Sequence, residues 1–348
     1  MHIIGVPKLL DLSGKFLRRA GAPPAIAERV AQALVLSSLK GVDSHGVMRL
    51  PQYLEHIEEG LVIPDAQPAV VRETASTAVV DGQRGFGHAA AEFSTQIALE
   101  KAQAHDMAAV TLHNTRHIGR VGEYVEMAVD AGFIGFVFCS ALSQVAPHGG
   151  RGRILGTNPV AIGIPSGGEF PFVLDFATSV LSEGKVRLAR DKGGRLQPGA
   201  ILDARGQPST RPEDLYEGGA MLPMGTYKGY GLGLAVQILG SLLAQGGMAL
   251  INQPAVGNGA LFMVLKPGSF CDAAELRRQT EVLCEAVKSS PLRDGFDEIL
   301  IPGEPEYRVQ RQREQDGIPI AEATWQRWRE AGLSIGMEPA DFEVDSGR

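Results

Sequence analysis

Strand-like and helix-like segments alternate between Ala75 and Ser140. Ser76–Asp81, Ala108–His113 and Ile134–Ser140 read as strands, and Phe86–His105 and Val121–Ala131 as helices. Such alternation indicates an α/β domain, because each strand needs helices to cover its faces. Apolar runs at Val160–Ile164, Phe172–Phe176 and Ala260–Lys266 extend the sheet. Helical spacing marks Lys8–Arg19, Pro24–Lys40 and Pro51–Gly60 before this region and Trp325–Ala331 after it. A central α/β domain flanked by helices from both chain ends is therefore expected. Ala273–Ser289 reads as an amphipathic helix with Leu276, Leu283 and Val287 on one side. Gly193–Asp214 reads as an exposed turn region, rich in Gly, Pro, Asp and Arg.

An α/β chain raises the question of a dinucleotide fold. Gly85-Phe86-Gly87-His88-Ala89-Ala90 follows a strand and opens a helix, as a phosphate loop does. Its partner is missing. The second strand ends at His113-Asn114 instead of an acid, and Asp106 stands at that strand's beginning. The glycines are better read as permitting a turn and tight helix–strand packing. GxxxxGK[ST], HExxH and GxSxG patterns are absent, and no acid or cysteine completes a metal set around His113 and His117.

Composition narrows the class. The 33 Lys+Arg against 40 Asp+Glu leave a formal charge of -7, which argues against a nucleic-acid protein. Cys139, Cys271 and Cys284 form no CxxC pair or disulfide framework, as expected in a reducing cytoplasm. No signal peptide is read at the N-terminus. The apolar stretch Gly231–Ala244, interrupted by Gln237, is shorter than the roughly 20 residues that span a bilayer, so a buried core helix is expected. The 43 glycines exceed the usual share of about 7% and are too scattered for a linker.

Five clusters hold the chemistry. In Gly41–Leu50, Asp43 or Ser44 is placed to cap a helix carrying His45 and Arg49 at i and i+4. A titratable imidazole beside a guanidinium suits a carboxylate substrate, with Arg49 holding the anion and His45 exchanging a proton. Asn114–Gly122 lies where a strand gives way to a helix, the usual place for ligand contacts. Pro147–Pro159 combines glycines with Arg151 and Arg153 and suggests close backbone approach to a ligand. Leu174–Ser179, with Gly184-Lys185 beyond it, and Met224–Leu232 complete the set.

These clusters, in this order, resemble the type-2 malate/L-lactate dehydrogenase family. The matching pieces are DSHGVMRLPQY, NTRHIGRVG, GTNPVAIGIP, LDFATS, GTYKGYGLGL and IPGE, between about residue 41 and 304. The resemblance implies an α/β, non-Rossmann fold. Residues 73–304 would form a mixed-sheet NAD(P)-binding domain, and 1–72 plus 305–348 a helical domain. It implies a homodimer, a small carboxylate substrate and NAD or NADP as cofactor. It makes His45 the proton donor, assisted by Ser44, with His117 the rival acid/base and Lys185 near the developing oxyanion. Arg49 and Thr157 would hold substrate. His117, Ser140, Asp175, Phe176, Ala177, Tyr227, Lys228, Pro302, Gly303 and Glu304 would hold cofactor.

The expected activity is reversible conversion of a 2-hydroxy acid to its 2-oxo acid. The family also includes reductases of cyclic imino acids, which carry an acid where this chain has Lys185. A non-catalytic nucleotide-binding protein is the alternative from another class. Arg116, Arg120, Arg151 and Arg153 are candidates for a 2′-phosphate.

Overall fold

The computed structural model describes residues 1–191, 193–246 and 257–343. Residues 344–348, the end of the expected C-terminal helical segment, lie outside them. Strand β1 (His2–Ile4) leads into α1 (Val6–Arg19), α2 (Pro24–Leu39) and α3 (Leu50–Glu58). Each of these helices has a proline in its first turn, where a missing N–H costs nothing. β2 (Ala69–Glu73), β3 (Thr77–Asp81), α4 (Gly87–His105), β4 (Met107–Thr115), α5 (Gly122–Asp130), β5 (Ile134–Cys139), β6 (Val160–Ile164) and β7 (Phe172–Phe176) follow. Next come α6 (Glu183–Asp191), β8 (Ile201–Leu202), β9 (Pro208–Ser209), α7 (Pro212–Tyr216), β10 (Ala220–Met221) and α8 (Tyr227–Gln237). The rest is β11 (Asn258–Leu265), α9 (Ala273–Lys288), α10 (Glu304–Asp316), β12 (Ile318–Ile320) and α11 (Glu322–Ser334).

Seven strands form one mixed sheet in the order β2-β3-β4-β11-β5-β6-β7. Only β3 and β4 pair in parallel, across the α4 connection; the other neighbours are antiparallel. A doubly wound dinucleotide fold is built from parallel strands, so this is a different α/β architecture. β11 is inserted between β4 and β5. The register Asn258↔Thr115, Ala260↔Cys139, Phe138↔Val160 and Val160↔Phe176 brings the ends of β4, β5 and β7 to one side of the sheet. β2 runs across residue 72 and joins the sheet edge.

Three larger apolar clusters and one small one support the described residues. One is built by both chain ends, with Phe16, Leu34, Leu50 and Tyr53 packed with Trp325, Trp328 and Phe342, while β1 pairs with β12. The second lies in the sheet, around Val110, Leu112, Tyr124 and Phe262. Charged pairs join the two. Arg29 of α2 meets Glu92 of α4 at 2.7 Å and Glu123 of α5 at 2.6 Å, and Lys40 meets Glu126 at 3.2 Å. These contacts seat the segment after α2 against the loop between β4 and α5.

The third cluster revises the expectation for Gly193–Asp214. Leu196, Ala200 and Ile201 are buried, packed with Val145, Leu155 and Val186, and Leu202 is buried with Ala146 and Ala220, around a small sheet ordered β10-β8-β9. Isolated apolar residues among glycines and prolines carry too little periodicity to show this. Gly231–Ala244 is also not the expected buried helix. α8 continues as a π-helical turn, Ile238–Leu242, with Gly233, Gln237, Gly240 and Ser241 facing inward. Leu234, Ile238, Leu242 and Leu243 are exposed. The reason is close backbone approach: a Cβ on Gly240 would stand 2.9 Å from Phe138 O and Ser140 N. Asn158 Nδ2 also donates to Gly233 O at 2.8 Å and Gln237 Oε1 at 3.0 Å. α9 is helical as expected, yet none of its residues is buried, and Leu283 and Val287 are exposed.

Candidate active site

The turn after α2 is made of two 3₁₀ turns, Asp43–His45 and Val47–Arg49, separated by extended Gly46 (φ -93, ψ -156). Gly46 has to lack a side chain, because a Cβ would overlap Ser38 Oγ, which accepts from Val47 N at 3.1 Å. His45 and Arg49 are thus not on one continuous helix, as the i, i+4 reading expected. Neither Asp43 nor Ser44 caps a helix; Asp43 instead accepts from Arg313 of α10 at 2.6 and 3.2 Å. The pair still converges. Ser44 Oγ lies 2.9 Å from His45 Nδ1. Arg49 Nε donates to Ser44 O at 2.7 Å and Nη1 to Gln52 Oε1 at 2.7 Å. Arg49 Nη2 has no protein partner among the described residues.

His117, from the loop between β4 and α5, stacks on His45 with ring centroids 5.3 Å apart and planes inclined by 27°. Tyr53 Oη lies 2.8 Å from His117 Nδ1. His88 of α4 completes the group, with its ring 5.9 Å from His117 and 5.8 Å from Tyr53. The Gly85–Ala90 piece supports this arrangement by packing: a Cβ on Gly87 would overlap the carbonyl oxygens of Arg116 and His117. Sequence reasoning missed Tyr53, His88 and Arg187 as site groups. The first two sat inside quoted fragments, and Arg187 lies two residues past Lys185.

Burial sets the charge state. It lowers the His45 pKa to about 3, with Arg49, Arg120 and Arg187 adding repulsion. Burial also lowers His88 to about 3 and His117 well below the usual histidine value. The imidazoles are therefore neutral near pH 7, so each has one donor and one acceptor nitrogen. Burial likewise raises the Tyr53 phenol, which stays protonated.

The remaining expected residues fall into four places. Ser140, Thr157 and Asp175–Ala177 lie along the sheet end described above. Ser140 Oγ accepts from Gly259 N at 3.1 Å, and Thr157 O accepts from Thr178 N at 2.9 Å. Asp175 Oδ2 accepts from Gly122 N at 2.9 Å, leaving Oδ1 without a hydrogen-bond partner among the described residues. Desolvation pushes the Asp175 carboxyl up to about 6, against the pull of Arg120 and this N–H. Tyr227 and Lys228 are exposed in the first turn of α8. Pro302 and Gly303 lie beside the start of β7, where Pro302 O accepts from Val173 N at 3.2 Å. The Glu304 carboxylate is occupied by Ile301 N, Lys288 and Arg308 at 3.1, 2.6 and 2.5 Å. Lys185 is exposed in the first turn of α6, its ammonium without a partner among the described residues.

Two candidate phosphate-binding arginines have structural work instead. Arg120 is buried against Glu126 at 2.5 Å, and Arg153 donates to the carbonyls of Gly219 and Leu215. Arg116 reaches Leu61 O at 3.3 Å and Arg151 reaches Arg205 O at 3.3 Å. The 147–159 loop needs close approach at Gly156, against Ala141 O, but Gly149 is open on all sides. Among the described residues no group of three or more His, Cys, Asp or Glu is placed to hold a metal.

Comparison with known proteins shows the family. The family model for malate/L-lactate dehydrogenase matches residues 4–329. Hydroxycarboxylate dehydrogenase B of Escherichia coli O157:H7 is 36% identical over 329 residues, covering 92% of this chain and 91% of that protein. The structure of sulfolactate dehydrogenase from Methanocaldococcus jannaschii superposes with a TM-score of 0.89 at 32% identity, covering 98% and 99% of the two chains. Δ1-Piperideine-2-carboxylate reductase from Pseudomonas syringae superposes at 0.85 with 28% identity, covering 95% and 100%. The chain belongs to the malate/L-lactate dehydrogenase family.

Proposed function

We propose that this member of the malate/L-lactate dehydrogenase family is an NAD(P)-dependent oxidoreductase that interconverts a small 2-hydroxy acid and its 2-oxo acid. The observation that carries the reading is the neutral His45, held by Ser44 and set beside an Arg49 with one free guanidinium nitrogen.

The sheet end fits a nicotinamide cofactor. Asp175 Oδ1 is an unused acceptor and Lys228 is a cation without a partner among the described residues. Ser140, Asp175, Phe176, Ala177, Tyr227 and Lys228 would hold it there, with His117, Pro302, Gly303 and Glu304 at its flanks. When bound, the nicotinamide supplies or accepts hydride. Arg49 and Thr157 hold the substrate carboxylate. The Ser44 hydroxyl both donates and accepts, so it supports either His45 tautomer. As the imidazolium that the bound carboxylate favours, His45 would donate its Nε2 proton to the oxo oxygen and become neutral; neutral with Nε2 bare, it would take the hydroxyl proton and become the imidazolium. A carboxylate on Arg49 offsets one source of repulsion on His45 and raises its pKa toward the working range. His117, oriented by Tyr53, stacks on His45 as a second acid/base. Lys185 turns its free ammonium toward the oxygen as charge develops.

The test is a matrix of NADH and NADPH against pyruvate, oxaloacetate, 3-sulfopyruvate and cyclic imino acids. Turnover of 2-oxo acids is expected, with His45→Ala losing about 10²- to 10⁴-fold in kcat. Little loss on His45→Ala, with abolition on His117→Ala, would reverse the two roles. The similarity to a piperideine-carboxylate reductase favours a second reading, reduction of cyclic imino acids; turnover of imines alone would establish it. Three free cysteines agree with a reducing cytoplasm. The exposed face of Leu234, Ile238, Leu242 and Leu243 supports a homodimer.

A further inference from the structure

Arg49 supplies the cation for the substrate's C1 carboxylate, and α6 brings a second guanidinium to the same place. Gly184 allows the first turn of α6 to close on the catalytic turn, since a Cβ there would overlap the Ser44 Cβ. Arg187 is three residues further on, so it shares that face of the helix. Its side chain is only 21% exposed, and its Nε and Nη2 are buried without a hydrogen-bond partner. Its counter-charge among the described residues is Glu183, 3.4 Å away and one turn back. Glu183 is itself held by the Tyr216 hydroxyl at 3.0 Å. That ion pair leaves the guanidinium N–H groups unused, and buried donors left unpaired are costly. Arg187 and Arg49 also repel one another, and both act on His45. Two like charges at one pocket, one with idle buried donors, form an arrangement that a dianion relieves.

We infer that Arg187 is a specificity-determining residue that takes a second anionic group, a carboxylate or sulfonate on the substrate side chain, while Arg49 holds the C1 carboxylate. The planar fork of Arg187 pairs with either anion through two parallel hydrogen bonds. This rests on the proposed oxidoreductase reading. It names the preferred substrate class: 2-hydroxy/2-oxo acids with two negative charges. Lys185, exposed and outside this face, has no part in the discrimination.

The experiment compares kcat/KM for oxaloacetate, 3-sulfopyruvate and pyruvate in the full chain and in Arg187→Met and Arg187→Lys. Malonate and acetate, which do not react, are titrated by calorimetry as binding probes. Arg187→Met is expected to lower the dianion-to-pyruvate ratio by about 10- to 100-fold, mainly through KM. The dianion whose ratio falls further identifies carboxylate or sulfonate. Preference for malonate over acetate is expected to vanish in Arg187→Met, and Arg187→Lys to restore part of both effects. A ratio within twofold of wild type, or equal losses on dianion and pyruvate, overturns the inference. If Arg187→Met does not fold, Arg187→Lys decides alone: an unchanged ratio and unchanged malonate preference overturn it. A wild-type chain that turns over no 2-oxo acid with either cofactor fails the oxidoreductase reading itself, whereas an active chain with an unchanged ratio fails Arg187 alone.

Discussion

Replacing His88 should remove one proton from the acid unfolding of this protein. His88 is fully buried, neither ring nitrogen has a hydrogen-bond partner, and Gly119 leaves room for its ring. Desolvation first, then Arg29, His45 and Arg49, lowers its pKa to about 3. In the unfolded chain it titrates near 6.5. A depressed folded pKa means that the unfolded state takes the proton first. The stability is therefore complete above about 6.5 and is lost as pH falls toward about 3. Between pH 7 and pH 5 the unfolded site goes from roughly a quarter to nearly one bound proton, while the folded site stays neutral. Integrated, that is about 2 kcal/mol, a large share of the roughly 5–15 kcal/mol of an ordinary domain. The assay is urea unfolding of wild type, His88→Leu and His88→Asn at half-unit steps from pH 7 to 5. Taking the difference between wild type and variant at each pH cancels the other titrating groups. The variants are expected to lose about 2 kcal/mol less than wild type over this range, whatever their absolute stability. A difference below about 0.5 kcal/mol in both variants would show that His88 is hydrated or charged in the folded protein, and the reasoning would fail.

Two more outcomes follow from close contacts and exposed surface. Gly184→Ala places a methyl against the Ser44 Cβ, so kcat should drop about 10-fold or more, with a stability loss of about 1–3 kcal/mol; kinetics at wild-type level would mean that α6 yields without moving Ser44. Ile238→Asp on the exposed face of the π-helical turn should convert the proposed homodimer to a monomer in light scattering, and an unchanged mass would place the interface elsewhere.

Much of this protein is legible in one dimension. The strand and helix periods near 75–140 and at 160–176 coincide with β3, α4, β4, α5, β5, β6 and β7 to within one or two residues. Those periods are local, set by which residues alternate across a strand or recur along a helix. The missing ribose acid already argued against a doubly wound fold. The His45–Arg49 pairing was legible as composition, although its geometry was not. Only Ser38, eight residues before Gly46, shows why an extended glycine must break that turn.

Tertiary structure decided the rest, because it depends on pairings between distant segments. β11 enters between β4 and β5 and pairs antiparallel with both, and no periodicity records which strand lies beside which. Close approach of the Thr178 side chain at Gly233 and of the sheet backbone at Gly240 turns these two glycines inward and leaves Leu234, Ile238, Leu242 and Leu243 exposed. His45, Tyr53, His88 and His117 come from four separate segments and acquire depressed or raised pKa values only when packing removes their water. Arg187 resembles any surface arginine in the sequence. Folding of α6 onto Ser44 is what leaves its Nε and Nη2 buried without a hydrogen-bond partner, within electrostatic reach of Arg49.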